Sequence, residues 1–210
     1  QRSGTLHLLG LFIDHKNAKL MTVQQRLAEA RRQRNPQIIE KLNALGVRID
    51  YQEAIDEAGG EIVGRPHIGQ VLLNKGYVKS IQDAFSRYIG EGAAAYARKD
   101  RLSGAEAIEA IHDAGGLAIL AHPVQLRLDR PEKLAYYVAR LKNAGLDGIE
   151  TRHSDHVAAD VEYFEQLAAN LELLRAGGSD YHGSRKSIKL GSQRVPVAVY
   201  HQLKEAWERR

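Results

Sequence analysis

Histidine and aspartate side chains occur at or near short apolar runs in this sequence, in positions where they could bind metal ions. The five residues are His7, His122, His153, Asp180 and His182. Imidazole and carboxylate groups without sulfur are typical ligands of Mn, Zn or Fe in hydrolytic sites. Two or more such ions can activate water and neutralise a phosphoryl oxygen. The pattern therefore predicts a metal-dependent hydrolytic centre, with His122, Asp180 and His182 as its catalytic group.

The spacing of Asp180 and His182 favours one shared centre. In an extended segment, residues i and i+2 point to the same side, so both groups would face one point while Tyr181 turns away. The glycines that flank this pair would let the backbone bend closely around an ion. His7 is a weaker candidate, because a single histidine inside an apolar strand is more often a buried structural residue.

The sequence Gly-Arg-Pro-His at residues 64–67 indicates a second kind of site. Proline at an early helical position predicts that a helix starts here, and helix N-termini attract anions. Arg65 adds a planar guanidinium group that can bind phosphate through two hydrogen bonds. The alternative is an ordinary first turn with an exposed arginine, but beside a metal centre we favour phosphate recognition. The role of His156 is left undecided.

The second half of the chain alternates between helices and short apolar strands. Strands are predicted over residues 117–121, 148–151 and 171–176, and amphipathic helices separate them. This rhythm is typical of a parallel α/β sheet or barrel. Because functional groups gather at the C-terminal ends of such strands, we expect the histidines and Asp180 at one edge.

The first half of the chain divides into a short strand and a helical segment. Residues 5–14 are predicted to form a buried strand, and several short helices follow. The pair Asn35-Pro36 is expected to break or kink the first helix. We therefore predict an α/β domain over residues 1–21 and 101–210, with a mostly helical insertion over residues 22–100.

Composition excludes several classes of protein. The 210 residues are 43 % apolar and contain no cysteine, which excludes disulfide scaffolds, thiolate zinc sites and cysteine nucleophiles. A net charge of +4 permits an anionic substrate, and the arginine-rich run over residues 26–34 is typical of a solvated helix face. No apolar run approaches the roughly 18 residues of a membrane span. We predict a cytoplasmic protein with no membrane partner and no stable protein partner.

Five segments resemble, in order, the motifs of the PHP (polymerase and histidinol phosphatase) family of metal-dependent phosphoesterases. They lie at residues 6–10, 64–67, 121–123, 148–154 and 178–183. Each motif is weak alone, but five in the expected order are specific. The Gly-Arg-Pro-His helix and the His-Ser strand end resemble the branch of 3′,5′-nucleoside bisphosphate phosphatases and a related 5′-3′ exoribonuclease.

The resemblance implies a distorted (βα)7 barrel with a small helical insertion. It also implies two or three divalent ions, with Mn²⁺ expected and Zn²⁺, Fe²⁺ or Mg²⁺ as alternatives. By motif, the implied metal ligands are His7, His122, Asp180 and His182, and the implied phosphate contacts are Arg65, His67 and His153. The implied substrate is a phosphate ester of a nucleotide or an RNA 5′ end. A histidinol-phosphate-type phosphatase and a non-catalytic nucleotide- or nucleic-acid-binding remnant are the alternatives.

The sequence departs from the family pattern at its beginning. The family opens with a His-x-His strand, followed by an Asp, another His and a Glu, all of them metal ligands, and none appears here. Less than half of the ligand set is therefore present, and the first strands of the barrel would be missing. We expect a trimmed part of a longer protein. An incomplete product without activity is the alternative.

Overall fold

The chain forms two compact units in the computed structural model, which describes residues 4–60, 62–98, 102–183 and 188–210. The first unit comprises residues 1–21 and 102–210, and the second comprises residues 22–101. The first unit combines strands and helices, and the second is built from helices.

A four-stranded sheet lies at the centre of the first unit. In spatial order its strands are β1 (Leu8–Leu11), β2 (Leu117–Leu120), β3 (Gly148–His153) and β4 (Leu174–Gly178). Strands β2, β3 and β4 are parallel, whereas β1 runs antiparallel to β2, with Leu8 opposite Leu120. Strand β2 is buried at all four positions, as expected of a short apolar strand in a parallel sheet. The predicted α/β class is confirmed.

Four helices of the first unit surround this sheet: α5 (Gly104–Asp113), α6 (Pro131–Asn143), α7 (Ala158–Asn170) and α8 (Val197–Glu208). Helix α5 begins at a capping box, in which Ser103 and Glu106 each bond the other's backbone N–H. A large apolar cluster packs Ile108, Val138 and Phe164 with strand residues. A smaller cluster packs Leu203 of α8 against Leu117 and Ile119. These clusters hold the strand ends, and the side chains that follow them, in fixed positions.

The second unit has its own apolar core. It contains α1 (Ala18–Ala44) from residue 22 onward, α2 (Tyr51–Ala58), α3 (Arg65–Asn74), and α4 (Ile81–Ala84), which continues as a π-helical turn over Phe85–Ile89. Its core side chains include Ile38, Leu42, Ile68, Leu72 and Ile89, each 0 % exposed.

Two local features differ from the prediction. Of the break or kink expected at Asn35-Pro36, the break does not occur, because helix α1 continues through Pro36. Its course is fixed by packing, because Asn35 is fully buried and donates to the carbonyl of Val63 at 2.9 Å, and such tertiary contacts override a local preference. Strand β1 is also shorter than predicted, so His7 precedes the strand instead of lying inside it.

Candidate active site

The antiparallel strand β1 brings His7 to the edge where the parallel strands end. His7 immediately precedes β1, and His122 is the second residue after the end of β2. Between β2 and His122, the N–H of Ala121 donates to the His7 carbonyl at 3.1 Å. The two imidazoles therefore meet, with His7 Nδ1 and His122 Nε2 3.0 Å apart. The predicted cluster at this edge thus begins with a pair of histidines from adjacent strands.

His122 is held in a strained conformation. Its φ of 28° lies in the left-handed region, which residues other than glycine rarely adopt. Pro123 starts a 3₁₀ turn immediately afterwards. The His122 N–H donates to Glu150 Oε2 at 2.6 Å, a short charge-assisted bond that fixes this turn. The strained turn aims the His122 ring at its neighbours instead of along the strand.

Glu150 is the residue of this edge whose role was missed in the sequence. It lies inside β3 and is only 6 % exposed. Burial raises the pKa of its carboxyl, the N–H of His122 opposes the rise, and the charge of Asp180 adds to it. The available signal was an acidic residue inside an apolar strand, since such a group is buried only where it has a partner.

His153 lies at the end of β3 and is 1 % exposed. Its Nδ1 accepts a hydrogen bond from the N–H of Asp155 at 3.0 Å, so the proton of the neutral ring lies on Nε2. Burial lowers the pKa of His153, although the nearby carboxylates of Asp155 and Asp180 oppose this. Its Nε2 lies 3.6 Å from Asp180 Oδ2, beyond hydrogen-bond distance. A buried N–H donor is therefore available beside Asp180.

Asp180 and His182 are neighbours, but not in the way the sequence indicated. Asp180 has a φ of 52°, so the segment turns instead of running extended as predicted. Aspartate tolerates this left-handed conformation better than bulkier residues do. His182 Nδ1 donates to the Asp180 carbonyl at 2.7 Å and lies 3.3 Å from its carboxylate Oδ1. The carboxylate and the imidazole thus come together through a turn, and the side chain of His182 is 56 % exposed.

The predicted residues form a row along one edge of the sheet. The rings of His122 and His153 are 5.4 Å apart, so the row runs from His7 through these two to Asp180 and His182. Within the described residues, no three acidic or imidazole groups converge on one point. Buried His122 Nδ1 and His153 Nε2 nevertheless have no hydrogen-bond partner. Unpartnered imidazole nitrogens in a row of histidines and carboxylates are chemically suited to divalent metal ions and to an oxyanion.

His156 packs behind this row. Its Nδ1 donates to the carbonyl of Thr151 at 3.1 Å, and its ring contacts Phe164 and His153 with centroid distances of 4.9 and 5.4 Å. Burial lowers its pKa, although the hydrogen bond to Thr151 and the charges of Asp160 and Asp155 oppose this. The structure thus places this undecided histidine as a support for the ring of His153.

Arg65 and His67 lie in the helical unit, at the start of α3. His67 Nδ1 accepts from the N–H of Gly64 at 3.1 Å and so completes the first turn of the helix. Arg65 donates to the carbonyl of Ile89 at 3.0 Å. Its guanidinium lies 5.5 Å from the ring centre of Phe85. The helix start at residue 65 agrees with the sequence, and phosphate contact by Arg65 and His67 stays a prediction.

Three relatives of known function are similar to the chain. A 5′-3′ exoribonuclease of Haemophilus influenzae is 30 % identical over 186 residues, which are 89 % of this chain and 67 % of that protein. A 3′,5′-nucleoside bisphosphate phosphatase of Chromobacterium violaceum is 29 % identical over 181 residues, 85 % and 62 % of the two chains. A phosphoribosyl 1,2-cyclic phosphate 1,2-diphosphodiesterase of Eggerthella lenta is 28 % identical over 199 residues, 94 % and 74 %. The chain thus spans about two thirds of the length of its relatives.

Two solved structures share the fold. One, assigned as a metal-dependent phosphoesterase of Bifidobacterium adolescentis, has a TM-score of 0.81 and 26 % identity, and the match covers 94 % of this chain and 70 % of that one. The other, an amidohydrolase of Chromobacterium violaceum with bound sulfate and no metal, has a TM-score of 0.84 and 25 % identity, covering 96 % and 72 %. No family model matches the chain. No helix in the described part of the chain is long and apolar enough to cross a membrane.

Proposed function

Because the chain belongs to the PHP-type family of phosphoesterases, we propose that it hydrolyses phosphate esters of nucleotides or RNA 5′ ends at the edge where His122, His153 and Asp180 meet. Its relatives are hydrolases of phosphate esters. The observation that carries the proposal is the row of histidines and aspartate with two unpartnered buried ring nitrogens. Buried polar atoms nearly always have partners, so unpartnered ring nitrogens at this edge support a ligand site, although the supporting ring of His156 also has an unpartnered Nε2.

Divalent metal ions complete this centre in the proposal, with Mn²⁺ expected. The residues that would hold them are His7, His122, Asp180 and His182. When bound, such ions polarise phosphoryl oxygens and lower the pKa of water. The fit rests on the donor set, which contains imidazole and carboxylate groups only, and on the unpartnered Nδ1 of His122.

The remaining residues of the row position the substrate. His153 Nε2–H is buried and carries no partner, so it is available to donate to a phosphoryl oxygen, where a preorganised donor stabilises developing charge. Glu150 fixes the backbone of His122 through its 2.6 Å hydrogen bond. His156 supports the ring of His153 from behind. We extend the proposal to Arg65 and His67 as phosphate contacts, on the strength of their place at a helix N-terminus.

The test is hydrolysis by the purified chain, measured as release of inorganic phosphate from a phosphomonoester and of mononucleotide from RNA. The substrates are adenosine 3′,5′-bisphosphate, a short RNA with a 5′ phosphate, and histidinol phosphate. We expect release from the first or second with added Mn²⁺, and none with a chelator. His122→Gln should abolish release, whereas His201→Gln, on the exposed face of α8, should retain it. A folded chain that binds Mn²⁺ but releases neither phosphate nor mononucleotide from the first two substrates would contradict the proposal.

A further inference from the structure

A side-chain hydrogen bond joins the loops that follow strands β2 and β3. Gln125, in the 3₁₀ turn after β2, donates from Nε2 to Asp155 Oδ2 at 2.8 Å. Asp155 lies two residues beyond the end of β3. The pairing of β2 with β3 brings the two side chains together, although they are 30 positions apart in the sequence. His122 and His153 stand at the starts of the same two loops, so the bond connects the supports of both histidines.

The backbone of Gln125 is also fixed by hydrogen bonds. Its N–H donates to the carbonyl of His122 at 2.9 Å, and its carbonyl accepts from the N–H of Thr5 at 3.3 Å. Thr5 lies two residues before His7, in the segment that leads into β1. Gln125 therefore contacts the segments that carry His122 and His7 through its backbone, and it reaches the loop after His153 through its side chain.

Asp155 presents two different groups to the ring of His153. Its backbone N–H donates to His153 Nδ1 at 3.0 Å, whereas its carboxylate Oδ2 lies 3.9 Å from the same nitrogen, beyond hydrogen-bond distance. The carboxylate is held there by Gln125. The His153 ring is fully buried and packs between the rings of His122 and His156, each with a centroid distance of 5.4 Å. Its environment thus fixes the orientation of the ring.

The group that contacts Nδ1 decides what Nε2 of the same ring can do. A histidine whose Nδ1–H donates to a carboxylate keeps a lone pair on Nε2, and this arrangement is typical of metal ligands. A histidine whose Nδ1 accepts from a backbone N–H carries its proton on Nε2, which then has no lone pair for a metal ion and suits an oxyanion. His153 is in the second state. The carboxylate of Asp155 is close enough to produce the first state if it moved.

We propose that Gln125 and Asp155 are positioning residues, which keep the proton of His153 on Nε2 and so make this ring a hydrogen-bond donor to the phosphoryl group instead of a further metal ligand. Gln125 holds the Asp155 carboxylate away from Nδ1, and Nδ1 is thereby left to the Asp155 N–H. The donor role towards a phosphoryl oxygen rests on the proposed function, whereas the position of the proton on His153 does not.

Reversal of the hydrogen bond tests these roles. Gln125→Glu sets two carboxylates against each other, so repulsion should break the bond and release the carboxylate of Asp155. The double variant Gln125→Glu/Asp155→Asn exchanges donor and acceptor, because the amide at position 155 can donate to the carboxylate at position 125. The pair then carries the same net charge as in the wild type. Gln202→Glu, at an exposed position of α8, adds the same charge elsewhere and is the matched control.

Nitrogen-15 NMR of the imidazole rings gives the first readout, since the chemical shift distinguishes a protonated from an unprotonated ring nitrogen. The chain is kept in chelator at a pH where its imidazoles are neutral, and the His153 signals are assigned by comparison with His153→Gln. We expect the proton on Nε2 in the wild type, the double variant and the control, and a shift towards Nδ1 protonation in Gln125→Glu. A wild-type ring protonated on Nδ1, or no shift in Gln125→Glu, would overturn the proposal.

Hydrolysis of adenosine 3′,5′-bisphosphate with added Mn²⁺ gives the second readout. We expect kcat/KM to fall by about tenfold in Gln125→Glu, because a preorganised donor is lost in part of the molecules. It should return to within about threefold of the wild type in the double variant and stay within about twofold in Gln202→Glu. Urea midpoints should be similar for all variants, since an exposed hydrogen bond contributes little to stability.

The outcomes separate this proposal from the proposed function. Equal losses of kcat/KM in Gln125→Glu and in the double variant would show that the hydrogen bond does not position His153, and would overturn the proposal. If the wild type hydrolysed none of the substrates while the NMR pattern was as expected, the proposed function would fail, and Gln125 and Asp155 would still be the residues that place the proton on His153.

Discussion

Replacement of Glu150 tests whether its carboxylate holds the strained turn at His122. In Glu150→Ala the His122 N–H loses its acceptor at 2.6 Å and stays buried, because His122 is 6 % exposed. An unsatisfied buried donor costs about 1–3 kcal/mol, and the lost contacts of one methylene group add about 1 kcal/mol. We expect a loss of about 2–4 kcal/mol in the free energy of unfolding. Glu150→Gln keeps an acceptor oxygen and should lose about 1 kcal/mol or less at acidic pH.

The pH dependence of the free energy of unfolding tests the effect of burial on Glu150. Burial raises the pKa of Glu150 above its ordinary value of 4.5. A carboxyl with a raised folded-state pKa contributes stability below its unfolded pKa, and this contribution is lost as the pH rises through the folded value. The glutamine variant does not titrate at this position. Its stability relative to the wild type should therefore improve as the pH rises from 4 to 7.

The measurement is urea unfolding in chelator, followed by circular dichroism, for the wild type, the two Glu150 variants and Glu109→Ala. Glu109 lies on the exposed face of α5 and serves as the matched control, because surface substitutions change stability by about 0.5 kcal/mol or less. If Glu150→Ala unfolded at the same midpoint as Glu109→Ala, the carboxylate would not hold the turn. If the stability of Glu150→Gln relative to the wild type fell with rising pH, the effect of burial on the pKa of Glu150 would be refuted.

Three further predictions concern a helix cap, a close contact between strands and the role of Arg65 in turnover. Ser103→Ala removes the N-cap of α5 and should cost about 1 kcal/mol in urea unfolding; an unchanged midpoint would argue against the cap. Gly148→Ala should lower the free energy of unfolding by about 1–3 kcal/mol, because an added Cβ would lie 2.6 Å from the carbonyl oxygen of Leu174 in the adjacent strand. Gly60→Ala is the control and should be tolerated, because no atom lies within 4 Å of an added Cβ there. Arg65→Ala should lower turnover without loss of bound Mn²⁺, and unchanged kinetics would remove Arg65 from the proposal.

The edge of the sheet was predictable from the sequence because it depends on simple patterns. Short apolar runs predict buried parallel strands, and the residues after them must share one edge. His122 and His153 were placed by this rule. His7 was also expected at this edge, but the antiparallel direction of β1 that brings it there was not predicted, since pairing with β2 decides it and no local pattern encodes it.

Other features depend on tertiary contacts that local patterns do not contain. The turn at Asp180 replaces a predicted extended segment, because the glycine-rich stretch has no strong local preference. The partner of Glu150 is a backbone N–H 28 residues away. Arg34 lies in a run whose charge is typical of a solvated face, yet the buried amide of Asn35 draws it inward. The roles of such residues can be recognised only from the contacts that form when the elements pack together.

The central claim is that the row of histidines with Asp180 is one metal-dependent hydrolytic centre. It is tested most directly by measuring bound Mn²⁺ and phosphate release from adenosine 3′,5′-bisphosphate in the same preparations of the wild type and Asp180→Ala, with Asp129→Ala as an exposed control. We predict that Asp180→Ala loses both turnover and bound Mn²⁺, while Asp129→Ala keeps both. Full turnover in Asp180→Ala would contradict the account.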